Sequence, residues 1–218
     1  MARQYGRAGN TLLRRIILYV VIALVLWFVV YLLMRALVPA FAGFAWIIAL
    51  VPVFKFIEAT RKDARAITKG YAGEARAGKL LAGLPEGWRV FHDVKLDGEN
   101  ADHVVVSNKG VFNVEVKNYS GGVLVTPRGL FTHGKRNDKI VKQAWRQAHK
   151  LTGLLGVEVV PLLAFAGGEV KQDSPHVGKL RVLPARELRG HFSSLQGLVL
   201  SLEDGRRISA LLEARTRR

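Results

Sequence analysis

Apolar residues are spread unevenly along this chain. From Ile16 to Met34, 19 consecutive positions (IILYVVIALVLWFVVYLLM) carry no charge, and a helix of that length covers roughly 28 Å, close to a bilayer's hydrocarbon core. After Arg35 a second uncharged stretch runs from Ala36 to Phe54, with Pro39 and Pro52 near its ends. The pattern predicts a two-helix transmembrane hairpin with spans at about 16–34 and 37–54, although proline and small residues in the second also suit a re-entrant segment. Beyond it the pattern changes. Residues 58–69 are charged and alanine-containing, as in a juxtamembrane linker or a helical continuation. Residues 68–87 (TKGYAGEARAGKLLAGLPEG) then place Tyr71, Ala75, Gly78, Leu81 and Ala82 near one helical stripe, ended by Pro85 and Gly87. WRVFHDVKL alternates as a strand does, and Asp97-Gly98 turns the chain.

Two valine-rich strands are predicted at Asp102 to Val106 and Val111 to Lys117, joined by the hairpin signal Ser107-Asn108-Lys109-Gly110. A short strand pair within VLVTPRGLFTH, a helix over about Lys139 to Leu155, strands in VEVVPLLAFAG and KLRVLP, and closing helices at Ala185 to Leu195 and Glu203 to Arg215 complete the reading. No repeat is visible, so residues beyond the apolar stretches read as one α/β domain.

Charge sharpens the membrane reading. Arg3, Arg7, Arg14 and Arg15 precede the first apolar stretch, Lys55, Arg61, Lys62, Arg65 and Lys69 follow the second, and Arg35 lies between. By the positive-inside rule both termini face the cytoplasm, which places the protein in the cell membrane as a multi-pass protein. The Ala40-Phe41-Ala42 stretch imitates a signal cleavage site, but the first apolar run exceeds a signal core and a second follows at once, so an uncleaved hairpin is the better reading. The chain has 33 Lys and Arg, 17 Asp and Glu and a formal net charge of +16. Only six of the basic residues lie in 1–57, so the remainder carries about +10 by itself. Such a balance suits anionic lipid or a phosphate-rich polymer, DNA or RNA. The absence of cysteine excludes disulfides and thiolate catalysis.

Candidate chemistry lies in the hairpin. Alternation sends Asn113, Glu115 and Lys117 to one face of the second strand and Phe112, Val114 and Val116 to the other. An even loop register, with Ser107 opposite Gly110, would place Asp102 directly across from Glu115, with Cβ atoms about 5 Å apart. Two carboxylates that close repel unless a proton or a cation lies between them. A divalent metal held by them, with the Val116 carbonyl as a further ligand and Lys117 beside it to orient water, would make a hydrolytic phosphodiester site. A three-residue loop with Gly110 in a bulge would pair Asp102 with Val116 instead. An ordinary ion pair between Glu115 and Lys117 on an exposed strand is the plain alternative. Gly73 to Leu80 approaches a phosphate-binding loop but lacks its final hydroxyl residue and its preceding strand. His103 falls on the opposite face from Asp102, and the other histidines show no metal-ligand spacing.

GYAGE, ADHVVVSNKGVFNVEVKNYSGG and the helix carrying KQAWRQAHKL, in this order, resemble the nuclease-related (NERD) domain and, through it, the PD-(D/E)xK nucleases. The resemblance covers about Gly70 to Leu155. It implies a restriction-endonuclease-like mixed sheet flanked by helices, with Glu74 as the acidic residue of the first helix. It also implies Asp102, Glu115 and Glu74 as ligands of Mg2+ or Mn2+, Lys117 as the catalytic lysine and Gln143 as a glutamine facing the site. Asn113, where an aliphatic residue is expected, and the approach Lys139-Ile140-Val141-Lys142 depart from the family pattern. The expected organisation is therefore a membrane anchor over 1–57, a linker over 58–69, a nuclease-like domain over 70–185 and a helical extension over 186–218. The expected partners are nucleic acid and the bilayer. The expected activity is metal-dependent cleavage of nucleic acid, with a catalytically silent nucleic-acid-binding or scaffold module as the rival.

Overall fold

The computed structural model describes residues 2–5, 10–37, 65 and 68–216. They fall into two units, one of residues 1–9 and 70–218 and the other of residues 10–69. In the second unit, helix α1 (Asn10–Leu37) contains the first apolar stretch. Its described side chains leave Leu18, Val21, Leu24, Val25, Phe28 and Leu33 exposed. Judged on the described residues, no helix is long and apolar enough to cross a membrane, and side chains at several α1 positions lie outside the description. The expected transmembrane hairpin is thus not found: its second span, and nearly all of the 58–69 linker, fall outside the described residues.

The first unit begins with a strand that alternation did not suggest. β1 (Arg3–Tyr5) lies parallel to β2 (Arg89–Leu96), and the Arg3 amide donates to the Trp88 carbonyl at 3.2 Å. Helix α2 (residues 68–82) precedes β2, as its apolar stripe predicts. β3 (Glu99–Ser107) and β4 (Gly110–Asn118) form the expected hairpin, then β5 (Val123–Thr126), β6 (Gly129–Thr132) and β7 (Lys135–Arg136) lead to α3 (Asp138–Leu155). β8 (Val159–Gly167), β9 (Val170–Gln172), β10 (His176–Val177) and β11 (Leu180–Pro184) follow. The expected helix over 185–195 is a 3-10 turn at Ala185–Glu187 continued by α4 (Leu188–Ser193), and α5 (Leu202–Thr216) closes the chain.

The main sheet is mixed and ordered β1-β2-β3-β4-β8-β11-β10, and a smaller one runs β7-β6-β5-β9. β4 is central, antiparallel to β3 and parallel to β8. Such a strand is covered on both faces, which explains its run of buried residues from Gly110 to Val116. Phe112, Val114 and Val116 pack with Ala77 and Leu81 of α2, with Leu84 just beyond it, and with Leu188 and Phe192 of α4. On the other face Phe91, Val104 and Val106 pack with Leu151 and Leu155 of α3 and Ile208 and Leu212 of α5. The helices beyond residue 185 therefore contribute to the same two core layers as the strands.

The candidate active site

The hairpin takes the even register. Ser107 pairs with Gly110, and each pair down to His103 with Val114 keeps that phase, while Gly110 adopts a φ of 128° at the turn. Asp102 is the next residue, and there the ladder stops. Its Oδ2 accepts the Val116 amide hydrogen bond at 2.7 Å, so a carboxylate replaces a backbone carbonyl. Direct opposition of Asp102 and Glu115 as a ladder pair is thus replaced by a side-chain bond one residue further along. The group of Val116 that touches Asp102 is its amide.

The cause of the interruption lies in β2 and β3 together. His92 pairs with His103 and Val94 with Ala101, so the ladder skips Asp93 and Asp102. Asp93 has a φ of 54°, a left-handed conformation that costs a non-glycine residue about 1–3 kcal/mol. Regular alternation would put Phe91 and Val94 on opposite faces, yet both lie in the core layer beneath α3 and α5, as do Ala101 and Val104. Both strands change face at the two aspartates. A strictly alternating reading of the sequence therefore misplaces this end of the hairpin. Asp93 is held by Asn100, whose Nδ2 donates to its Oδ1 at 2.7 Å.

β4 brings Glu115 and Lys117 to the same place. Lys117 Nζ lies 2.6 Å from Glu115 Oε1 and donates to Gln143 Oε1 on α3 at 3.2 Å. The β4–β8 register shifts between Lys117 and Asn118, so the strand bends directly after the lysine. Glu74 sits near the start of α2. The preceding residue, Gly73, packs so tightly that an added Cβ would lie 2.8 Å from Asn118 Cβ, which lets the helix start close to the end of β4. Glu115 is 1 % exposed, which rules out the plain exposed-strand ion pair, and its Oε2 has no hydrogen-bond partner.

The electrostatics tie these groups together. Asp102 keeps part of its surface open, yet protein surrounds its carboxylate closely enough that burial, followed by the charges of Glu115 and Glu74, pushes its pKa well above the usual value. The Val116 amide and Lys117 offset this in part. Glu74 is also raised, by burial and then by Asp93 and Glu115. Burial works against the Lys117 ammonium, but the charge and hydrogen bond of Glu115 outweigh it and raise its pKa. Among the described residues, no group of three or more His, Cys, Asp or Glu side chains is placed to hold a metal ion. Glu74, Asp102 and Glu115 sense one another's charge without forming such a group. Two crowded carboxylates with one buried orphan oxygen do fit a hard divalent cation that retains waters, since Mg2+ sites commonly use one or two carboxylates.

Sequence reasoning gave no part in this centre to five residues. Asn113 Nδ2 donates to Gln147 Oε1 at 3.1 Å, and Gln147 Nε2 donates to the Asn100 carbonyl at 3.1 Å. Asn113 and Gln147 are both 0 % exposed. The signal was present as two apparent oddities, an asparagine inside a valine strand and a second glutamine one helical turn after Gln143, the first donating to the second while Asn113 Oδ1 stays without a partner. Asp93 gave only the weak signal of two adjacent polar residues interrupting an apolar alternation. His92 and His103 are buried as a pair with Nδ1 atoms 2.7 Å apart, and burial lowers both pKa values, that of His103 to about 3.

A mixed sheet flanked by helices, with acids, a lysine and a glutamine converging at the end of its central strand, fits a nuclease-like α/β domain. Residues 69–166 match the family model of the nuclease-related domain, NERD. Over 61 residues the chain is 39% identical to an uncharacterised Bacillus anthracis protein, a match covering 25% of this chain and 29% of that one. The structure of Pyrococcus furiosus SfsA in complex with Ca2+ aligns over 65% of this chain and 53% of its own, at 18% identity and a TM-score of 0.24. The chain thus spans under a third of the curated relative and about half of the solved chain.

Proposed function

We propose that this is a membrane-anchored nuclease-related protein that hydrolyses phosphodiester bonds of nucleic acid with Mg2+ or Mn2+. The observation that carries the reading is Glu115, a buried carboxylate with one oxygen on Lys117 and the other unpartnered, beside a second carboxylate whose ionisation is resisted. A buried carboxylate oxygen left without a partner is costly unless a cation is to be bound there. Asp102 and Glu115, with Glu74 nearby, would hold the metal, which would supply Lewis-acid stabilisation of charge on the phosphate. Lys117, steadied by Gln143, orients water toward the phosphorus and offsets developing negative charge.

The test is a nuclease assay of the full chain in detergent with Mg2+ or Mn2+, on single- and double-stranded DNA and RNA. Glu115→Ala and Lys117→Ala should lose cleavage; equal residual cleavage in all three proteins would overturn the reading. One observation favours the rival, a catalytically silent nucleic-acid-binding or scaffold module: the acids do not form a three-ligand group among the described residues. Tight polynucleotide binding with no wild-type cleavage would establish it. For the anchor, α1 supports the proposal by exposing described apolar side chains between Leu18 and Leu37, about 30 Å of helix. A location in the cell membrane with both termini cytoplasmic follows from its basic flanks. Release of the protein from membranes by salt or carbonate washing alone would contradict it.

A further inference from the structure

α3 is amphipathic. Ile140, Ala144, Gln147, Ala148, Leu151 and Leu155 are buried, and its polar side carries Lys139, Lys142, Arg146 and Lys150 against one acid, Asp138. Three of those cations are not spread at random round the polar side. Lys139, Gln143, Arg146 and Lys150 follow one another at spacings of four, three and four, which puts them on one stripe. Gln143, in the middle of the stripe, is the residue bonded to Lys117. The line of charge therefore runs past the reacting centre.

Two of the cations are also held in place. Arg146 grips Glu99 through Nε and Nη2 at 2.8 and 2.7 Å, and Lys150 lies 2.9 Å from the same carboxylate and donates to the Asp97 carbonyl. Glu99, its pKa lowered to about 2 chiefly by the Arg146 hydrogen bond, is a permanent anion. One anion between two cations leaves a net positive charge in a fixed geometry. Arg146 and Lys150 stay 54% and 35% exposed, so their outer sides remain open to a ligand. A stripe kept only for solubility has no need of such a clamp beside a glutamine that touches the lysine of the site.

We infer that the Lys139–Gln143–Arg146–Lys150 stripe of α3 is the surface that takes the phosphate backbone of a polynucleotide and feeds it past Lys117. From Lys139 to Lys150 the helix rises about 16 Å, enough to face several phosphates of one strand. The inference rests on the nuclease-related reading but concerns binding, so the two can fail separately.

The experiment uses the full chain in detergent with EDTA present, and measures the anisotropy of fluorescein-labelled single- and double-stranded DNA against salt. Lys139→Gln/Arg146→Gln/Lys150→Gln should weaken binding about tenfold or more and lower the log–log salt slope by about 2–3. Lys139→Glu alone, at an exposed position, should weaken binding in the same direction and guards against loss of the Glu99 clamp disturbing the fold. Lys179→Gln/Arg186→Gln/Arg206→Gln removes the same charge from exposed positions elsewhere and should leave affinity near wild type. Wild-type affinity in the stripe variants, or an equal loss in the remote variant, overturns the inference. So does a stripe variant that loses binding to anionic phospholipid vesicles while keeping DNA binding, which would make the surface a membrane contact. Cleavage by wild type with stripe-independent binding would sink the stripe and leave the nuclease intact; stripe-dependent binding without cleavage would do the reverse.

Discussion

Glu115 has two unlike oxygens, and the difference decides what substitutions there and at Lys117 should do. Oε1 is matched by an ammonium at 2.6 Å, while Oε2 is buried with no partner. Removing the lysine leaves the carboxylate without its counter-charge in a site 1 % exposed. Lys117→Ala should therefore lower stability by up to about 3–5 kcal/mol as well as abolish cleavage, read from urea unfolding alongside activity. Glu115→Gln/Lys117→Met, which removes both charges, should recover most of that stability and none of the activity. Asp102 gives a pH-dependent counterpart. Its folded pKa is raised, so the folded state binds the proton more tightly than the unfolded chain, and stability falls as pH rises from about 4 toward the raised value. Asp102→Asn keeps an acceptor for the Val116 amide and removes the penalty. Its melting temperature should exceed wild type's at about pH 8 and approach it at about pH 4, with cleavage lost. An equal difference at both pH values would show that Asp102 is not held back from ionising.

Among the elements, the contact between α3 and the β3–β4 hairpin sets the site, and two buried amides fix it. Gln147 joins Asn113 of β4 and the carbonyl of Asn100 of β3, one turn below the glutamine that reaches Lys117. Asn113→Val or Gln147→Leu alone strands the other amide in the core and should cost about 1–3 kcal/mol; the double substitution should come back to within about 1 kcal/mol of wild type. The cycle is measured by urea unfolding of the full chain, and additive losses would mean that the two amides do not act as a pair. This pair also marks where the sequence could be read and where it could not. Most strand and helix identities were legible because valine alternation and helical spacing are local patterns, whereas the Ser-Asn-Lys-Gly turn left the even hairpin register as one of two readings and β1 gave no alternation to read. Asp93 was not legible, because a change of strand face depends on cross-strand partners such as Asn100 on β3. The mutual need of Asn113 and Gln147 was hidden for the same reason: it joins elements 34 residues apart. Glu115 and Lys117 were legible as a same-face pair, but their burial was not, since alternation cannot tell a solvated face from one beneath a helix.

At the scale of the whole molecule, the first strand constrains the topology of everything between it and β2. β1 occupies residues 3–5 and is hydrogen-bonded into the edge of the main sheet, and α1 begins at Asn10. The chain thus leaves the main sheet after β1, passes the apolar stretches in sequence and rejoins the same sheet edge at Arg89. Neighbouring strands of one open sheet cannot lie on opposite sides of a bilayer, because every backbone group in the hydrocarbon must be paired within a helix or a barrel. If α1 crosses the membrane, the chain has to cross again before β2, and an odd number of crossings is incompatible with the β1–β2 pairing. The basic flanks of both apolar stretches independently favour the same side for both ends. Reporters fused before Met1 and after Arg218 should therefore both be active in the cytoplasm, and reporters in opposite compartments would break the argument. The pairing itself is tested by Tyr5→Pro, since Tyr5, two residues after the Arg3 amide that donates to the Trp88 carbonyl, turns its own amide toward β2. Loss of stability in that variant, with α1 and the membrane flanks unchanged, would tie the N-terminal strand to the domain's fold; wild-type stability would free it, and with it the requirement for an even number of crossings.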